Sequence, residues 1–257
     1  MSELALYEPH GDTFLASRLT QGPWSADAQH GGPVAALLAR AVEAVPSSEP
    51  MQVVRLTVEL LRPVPIAALH TAAKVIRDGR RVQVIDASVS VDGTEVALAR
   101  TLRIRTKHLR LTLPDMSSVA PPPDEVPEVR AASLSVPYAE AVELRFIEGS
   151  WDVPGPVRMW TRLKVQVVEG EPVTPLQRTA AAADFGNGVS SVLDFATHVF
   201  INPDLNVSLA RLPVGEWIGF DITSRISPDG YGQAEASIFD RSGWVGRSNQ
   251  SLFVDER

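Results

Sequence analysis

The chain repeats itself once. Leu56-Thr57-Val58-Glu59-Leu60-Leu61-Arg62 returns as Leu205-Asn206-Val207-Ser208-Leu209-Ala210-Arg211, with four of the seven positions identical. Pro63-Val64 follows the first run and Pro213-Val214 the second, one residue out of register. Downstream, Asp78-Gly79 returns as Asp229-Gly230, Gln83 as Gln233, Ala87-Ser88 as Ala236-Ser237, Gly93 as Gly243 and Leu102 as Leu252. A single period of about 150 residues is not a solenoid, whose repeats run about 20–50 residues and number at least three. It describes a domain-sized unit duplicated within one polypeptide, so whatever one half folds into the other must also fold into.

The first copy reads as one helix followed by a meander. Gln29-His30-Gly31-Gly32-Pro33 opens the helix, with Pro33 early enough for its missing N–H to cost little. Val34, Leu37, Leu38, Ala41 and Val45 recur at helical spacing, and Pro46-Ser47-Ser48 ends the run. Four strand-like runs follow, Val53–Leu61, Leu69–Ile76, Arg81–Val91 and Val96–Arg105, with Asp78-Gly79 and Asp92-Gly93 as hairpin signals. Residues before the helix read as an edge strand or loop, with Trp24 as a packing anchor. In the second copy Thr174-Pro175 gives an N-cap and first turn, and Leu176 to Phe185 forms a helix ending at Gly186 and Gly188. Val189–Phe200 is compatible with a further helical turn leading into a strand. The meander then returns as Leu205–Leu209, Glu216–Ile226, Gly232–Phe239 and Val245–Val254. The stretch between the copies is rich in proline and acidic residues and reads as a linker. The expectation is therefore an α+β chain with one unit over 1–106, a linker over 107–137 and a second unit over 138–257, each a helix wrapped by a curved antiparallel sheet.

Composition removes several functions. The net charge of −7 argues against a nucleic-acid partner, which needs a dominant basic face. No apolar stretch approaches the roughly 18 residues of a membrane span, and the first thirty residues hold no signal-like run. The absence of cysteine removes disulfides and thiol catalysis, and a cytoplasmic location is expected. No G-x-S-x-G, P-loop or G-x-G-x-x-G occurs. His10, His30, His70, His108 and His198 are scattered without metal-ligand spacing, so no bound metal and no cofactor is expected.

What remains is carboxylate, hydroxyl, amide and backbone chemistry. The second copy carries Asp204, Asn206 and Ser208, then Thr223 and Ser224, then Asn249-Gln250-Ser251, where the first carries Arg55, Thr57, Glu59 and Arg100-Thr101. The apolar frame is shared while the polar residues differ, which points to a site in one half that the other lacks. Gln250 lies in a run that is otherwise core-forming, and a buried amide needs partners.

With His30-Gly31-Gly32-Pro33 as one anchor and the stretch from Thr174 to the end as the other, the chain resembles the type II acyl-CoA thioesterases, which carry two hot-dog folds in one polypeptide. In that family a Gly-Gly pair opens the first helix, usually followed by glutamine where Pro33 stands here, and an acidic residue, here Asp184, closes the second. The resemblance implies a reactive trio at Asp204, Ser224 and Gln250, although Leu205-Asn206 replace the usual His-Ser after the aspartate. It also implies hydrolysis of an acyl-CoA substrate by an activated water, with Gly31 or Gly32 at the helix start, beside His30, facing the thioester oxygen.

Strict alternation works against part of this. If Leu205, Val207 and Leu209 face the core, Asp204 faces the other way with Asn206 and Ser208, unless a bulge or bend intervenes. Two other readings stay open: a binding module for acyl thioesters or lipids without catalysis, and a hydratase or dehydratase acting on an enoyl thioester. The hydratase would need a histidine soon after the aspartate, and none follows His198. Arg77, Arg80, Arg81, Arg103, Arg105 and Lys107 are candidates for coenzyme A phosphates or for a solvated strand face, and Trp217 and Trp244 for an acyl tunnel or for core. Both a monomer and a homodimer fit the duplication.

Overall fold

The computed structural model describes residues 5–112, 114, 117, 120–129 and 136–257. Fourteen strands, four α-helices and two short 3-10 turns are the regular elements of the described residues. A hairpin of β1 (Ala5–His10) and β2 (Thr13–Ala16) precedes α1 (Gly31–Glu43). The first meander is β3 (Met51–Leu60), β4 (Ala68–Asp78), β5 (Val82–Val91) and β6 (Thr94–Arg105). The second half opens with α2 (Pro137–Glu140), β7 (Val142–Ser150), β8 (Val153–Leu163) and β9 (Gln166–Val168). Then come α3 (Pro175–Ala183), α4 (Gly186–Val189), β10 (His198–Ile201), β11 (Asp204–Leu209), β12 (Trp217–Ser227), β13 (Tyr231–Asp240) and β14 (Gly243–Glu256).

The strands join in the order β7-β8-β12-β13-β14-β11-β3-β6-β5-β4-β2-β1-β9, with β10 added on β14. The repeated runs are β3 and β11, and they lie side by side, Asp204 opposite Glu59 and Val207 opposite Leu56. Outward from this seam the order is β6, β5, β4 on one side and β14, β13, β12 on the other, so both halves use one topology. A second stitch lies at the far end, where β9 of the second half runs parallel to β1, Tyr7 opposite Val168.

The two larger helices pack against each other and share one core with the sheet. The N-cap His30 of α1 touches Asp184, the C-cap of α3, while Thr174, the N-cap of α3, bonds Glu43, the last residue of α1. The helices therefore run antiparallel. Val34, Ala35, Leu37, Leu38 and Val42 of α1 and Leu176, Ala180, Ala181 and Ala183 of α3 join one core with the inward faces of the strands. The small alanines of α3 permit a close approach. At Gly32 a Cβ would lie 2.4 Å from the Ala181 carbonyl oxygen, so the second glycine of the pair is needed for the crossing itself.

The structure differs from the sequence reading at the first strand, at one helix and at several side chains. The opening residues form a full hairpin rather than a single edge strand. The second helix stops at Ala183 and restarts as the separate turn α4, because Asp184 and Phe185 leave the helical ladder to face the first half. Arg103 is not on a solvated face. It is buried, and its guanidinium donates to the Val42 and Val45 carbonyls, capping the C-terminus of α1. Trp217 belongs to a separate cluster with Trp160, Phe239 and Val126, between the Arg145 and Arg162 guanidiniums. No helix among the described residues is long and apolar enough to cross a membrane.

Candidate active site

A cavity of about 630 Å³ opens where the start of α1 meets the end of α3. Both halves build it: Trp24, His30, Gly31 and Arg62 come from the first, and Trp151, Asp184, Asn187, Phe195 and Asn202 from the second. Its aromatic wall is a packed set. Phe195 lies 4.5 Å from Phe200 and 6.1 Å from Trp151 between ring centroids, and Trp24 meets Phe200 edge-on at 5.6 Å.

At the base of the cavity is Asp184, 4% exposed. Asn202 Nδ2 donates to its Oδ1 at 2.7 Å and Gln250 Nε2 at 3.0 Å. His30 Nδ1 lies 2.7 Å from its Oδ2. The amide orientations are not arbitrary. The Asn187 backbone N–H can only donate, and it meets Gln250 Oε1 at 3.0 Å, which turns Nε2 toward the carboxylate. Asn202 Nδ2 also donates to the Asp204 carbonyl at 3.1 Å, so its own amide is held the same way. Asp184, a buried carboxylate, is thereby supplied with donors from one strand and two loops, as burial of such a group requires.

The His30 ring packs 4.8 Å from Tyr138 and 5.1 Å from Phe185. Burial, with the nearby Asp184 charge adding to it, pushes the Tyr138 phenol well above its ordinary value. The phenol stays protonated and donates to the Ala181 carbonyl at 2.8 Å. Gly31 sits against the carboxylate, and its N–H belongs to the first turn of α1, whose amides have no partner within the helix.

The expected residues divide between this place and others. Gln250 is 1% exposed and fully bonded within the cluster, and His30 and Gly31 line the cavity. Asp204 is not brought to Gln250. Leu205, Val207 and Leu209 are buried and β11 runs without a bulge, so alternation turns Asp204 to the opposite face. There its carboxylate accepts from the Ser251 N–H at 2.6 Å and the Ser251 hydroxyl at 3.2 Å. Ser224 is buried and lies 2.7 Å from the Ser190 hydroxyl. Ser190 donates to the Gly186 carbonyl at 2.8 Å, so Ser224 supplies the proton between the two hydroxyls and steadies α4 from behind. Gly32 is buried beneath the cavity wall in the helix crossing.

Asn202, Asn187, Trp151 and Phe195 were not singled out from sequence. Asn202 lies two residues before Asp204, which was; Asn187 sits in the single turn α4, and Trp151 and Phe195 lie in turns with no periodicity to mark them. No cluster of three or more potential metal ligands occurs among the described residues.

Comparison with known proteins adds the family. Residues 20–104 match the acyl-CoA thioesterase N-terminal domain and residues 114–254 the acyl-CoA thioesterase C-terminal domain. No curated protein sequence matches. Among solved structures, a conserved protein of unknown function with a hot dog fold from Alicyclobacillus acidocaldarius is similar at TM-score 0.74 and 20% identity, over 98% of this chain and 95% of that one. The tesB protein of Mycobacterium avium subs paratuberculosis is similar at TM-score 0.67 and 19% identity, over 97% and 96%. Acyl-CoA thioesterase II TesB2 from Mycobacterium marinum is similar at 0.66 and 16%, over 93% and 97%. These likenesses establish the hot-dog fold, and the two domain matches establish that the chain belongs to the acyl-CoA thioesterase family.

Proposed function

We propose that this thioesterase hydrolyses its acyl-CoA at the cavity between the halves, with the water held by the Asp184 cluster rather than at Asp204. In this reading Asp184, Gln250 and Asn202 form the polar base of the site. The Gly31 N–H, at a helix N-terminus, faces the thioester oxygen as negative charge develops there. The apolar chain of the substrate lies along Trp24, Trp151 and Phe195. Gln250 stays in the site, Asp184 stands there where Asp204 was expected, and Ser224 acts by holding α4 in place. We also read the chain as two hot-dog units, 1–106 and 138–257, joined by 107–137, the site lying between them.

One observation carries the reading: a carboxylate that is almost wholly buried, supplied with directed donors, opens onto an apolar cavity beside the glycine that starts a helix. Thioester hydrolysis needs an oriented water and a stabilised oxyanion, and this arrangement supplies a place for both. The test is thiol release from a panel of acyl-CoAs of increasing length, for the wild type, Asp184→Asn and Asp204→Ala. Asp184→Asn should lose about 10²–10⁴-fold in kcat, the usual worth of a positioned acid–base group, while Asp204→Ala keeps its turnover. No release from any chain length, together with measurable binding, would favour a binding module instead.

A further inference from the structure

The Asp184 cluster contains one group whose second functional atom is unused. His30 Nδ1 lies 2.7 Å from Asp184 Oδ2 and 3.2 Å from the Gly32 N–H. One ring nitrogen cannot donate to the first and accept from the second. The shorter contact decides. Oδ1 of Asp184 already accepts from Asn202 and Gln250, so Oδ2 is the oxygen left for His30. A proton must lie between Oδ2 and Nδ1 at that distance, and Asp184, whose other oxygen accepts from two amides, is the acceptor of the pair. Nδ1 therefore carries the proton and donates to Asp184. Gly32 is left with a close approach, as one of the unpaired amides of the first helical turn.

That assignment leaves Nε2 as the ring nitrogen free to exchange a proton. In a neutral ring with Nδ1 protonated, Nε2 holds a lone pair. Among the described residues Nε2 has no hydrogen-bond partner; it is not sealed from solvent, and the ring forms part of the cavity wall. The titratable groups packed against the ring are Asp184, from the end of α3, and Tyr138, from α2. Tyr138 keeps its proton and spends it on Ala181. Only Asp184 is left to orient the imidazole.

We infer that His30 is the general base of the thioesterase reaction and that Asp184 is its positioning residue. This rests on the cavity being the hydrolytic site. Nε2 takes a proton from the water, whose oxygen bonds to the thioester carbonyl carbon, and the carbonyl electron pair moves onto oxygen beside Gly31. When that pair returns, the C–S bond breaks, and the leaving sulfur takes the proton from Nε2. The products are the free acid, which yields its proton to solvent, and the thiol of coenzyme A. His30 is neutral again, with Nδ1 still bonded to Asp184.

The competing role for His30 is the N-cap of α1, and substitution separates the two. Asparagine is among the best N-cap residues, and glycine costs only a few tenths of a kcal/mol relative to it. The substrate is the acyl-CoA that the wild type turns over fastest. His30→Asn should keep its melting temperature within a few degrees, keep KM within about threefold, and lose about 10²–10⁴-fold in kcat. His30→Gly should lose as much, then regain at least about tenfold when free imidazole is added, because the vacated slot between Tyr138 and Phe185 opens onto the cavity. If neither variant folds, the unaltered enzyme is treated with diethylpyrocarbonate and modification of His30 is followed by peptide mapping. Activity should fall in step with it. The inference is overturned if His30→Asn turns over within about threefold of wild type, or if activity survives complete modification of His30. It fails alone, leaving the site intact, where Asp184→Asn is impaired and His30→Asn is not. If no acyl-CoA is hydrolysed at all, the underlying site reading fails instead.

Discussion

Gly31 and Asp184 are in such close contact that a Cβ at residue 31 would lie 2.7 Å from the carboxylate oxygen Oδ2. The first glycine of the pair is thus required by the carboxylate, and the second by the helix crossing. Gly31→Ala should displace the oxygen that faces His30 while leaving α1 intact, since alanine is the better helix former. The expected result is a loss of about 10²-fold or more in kcat, from a misplaced catalytic group, with a melting temperature close to wild type.

Ser224 and Asp204 should behave differently from Asp184. The Asp204 carboxylate bonds the exposed Ser251, so Asp204→Ala should cost no more than about 1 kcal/mol and leave kcat within about twofold. Ser224→Ala removes a buried hydroxyl whose partner is Ser190, and should cost about 1–3 kcal/mol with a smaller effect on turnover than Gln250→Ala. Denaturant melts alongside steady-state kinetics distinguish these outcomes.

Arg62 and Arg211 occupy the same place in the repeat, yet only Arg211 is paired with a carboxylate. Arg62 is exposed at the cavity wall and has no partner among the described residues. An exposed guanidinium beside a substrate cavity suits the phosphates of coenzyme A. Arg62→Ala should raise KM about tenfold with kcat little changed, and the difference from wild type should shrink at high salt.

Arg211, by contrast, is a structural residue. Its guanidinium grips Asp240, which is fully buried. Burial alone would raise the Asp240 carboxyl. Arg211 and the amides of Val214 and Ser242 outweigh it and hold the carboxyl below the usual range. A depressed carboxylate contributes stability above its unfolded value, about 3.9, and loses that stability as pH falls through the folded value. Arg211→Met should therefore cost about 3–5 kcal/mol at pH 7, by stranding a buried charge. The gap from wild type should narrow below pH 4 in pH-dependent melts.

Local pattern and cross-chain distance explain what was legible before the structure. The periodicity of Val34 to Val45, the alternation within the repeated meander and the Asp-Gly hairpins are local, and each corresponds to an element of the fold. Gln250 stood out for a local reason too, as an amide in a core-forming run. The choice between Asp184 and Asp204 was not local. Both lie in the right half, and only the packing of the end of α3 against β14 decides which one meets Gln250. The alternation of Leu205, Val207 and Leu209 already told against Asp204, and in the structure it is regular. Trp151 and Phe195 lie in turns, where no period distinguishes a cavity wall from any other half-buried ring.

The antiparallel pairing of α1 and α3 has two ends, and they have gone separate ways. At one, His30 meets Asp184. At the other, Thr174 and Gln177 both donate to Glu43, which with Arg103 lines a polar recess of about 410 Å³. Two identical chains paired in this manner would be obliged to carry two equal ends. A single polypeptide is free of that obligation, so one end can be given over to holding the helices together. The consequence is a stoichiometry: a non-hydrolysable acyl-CoA analogue, titrated by calorimetry, should saturate the enzyme at one molecule per chain.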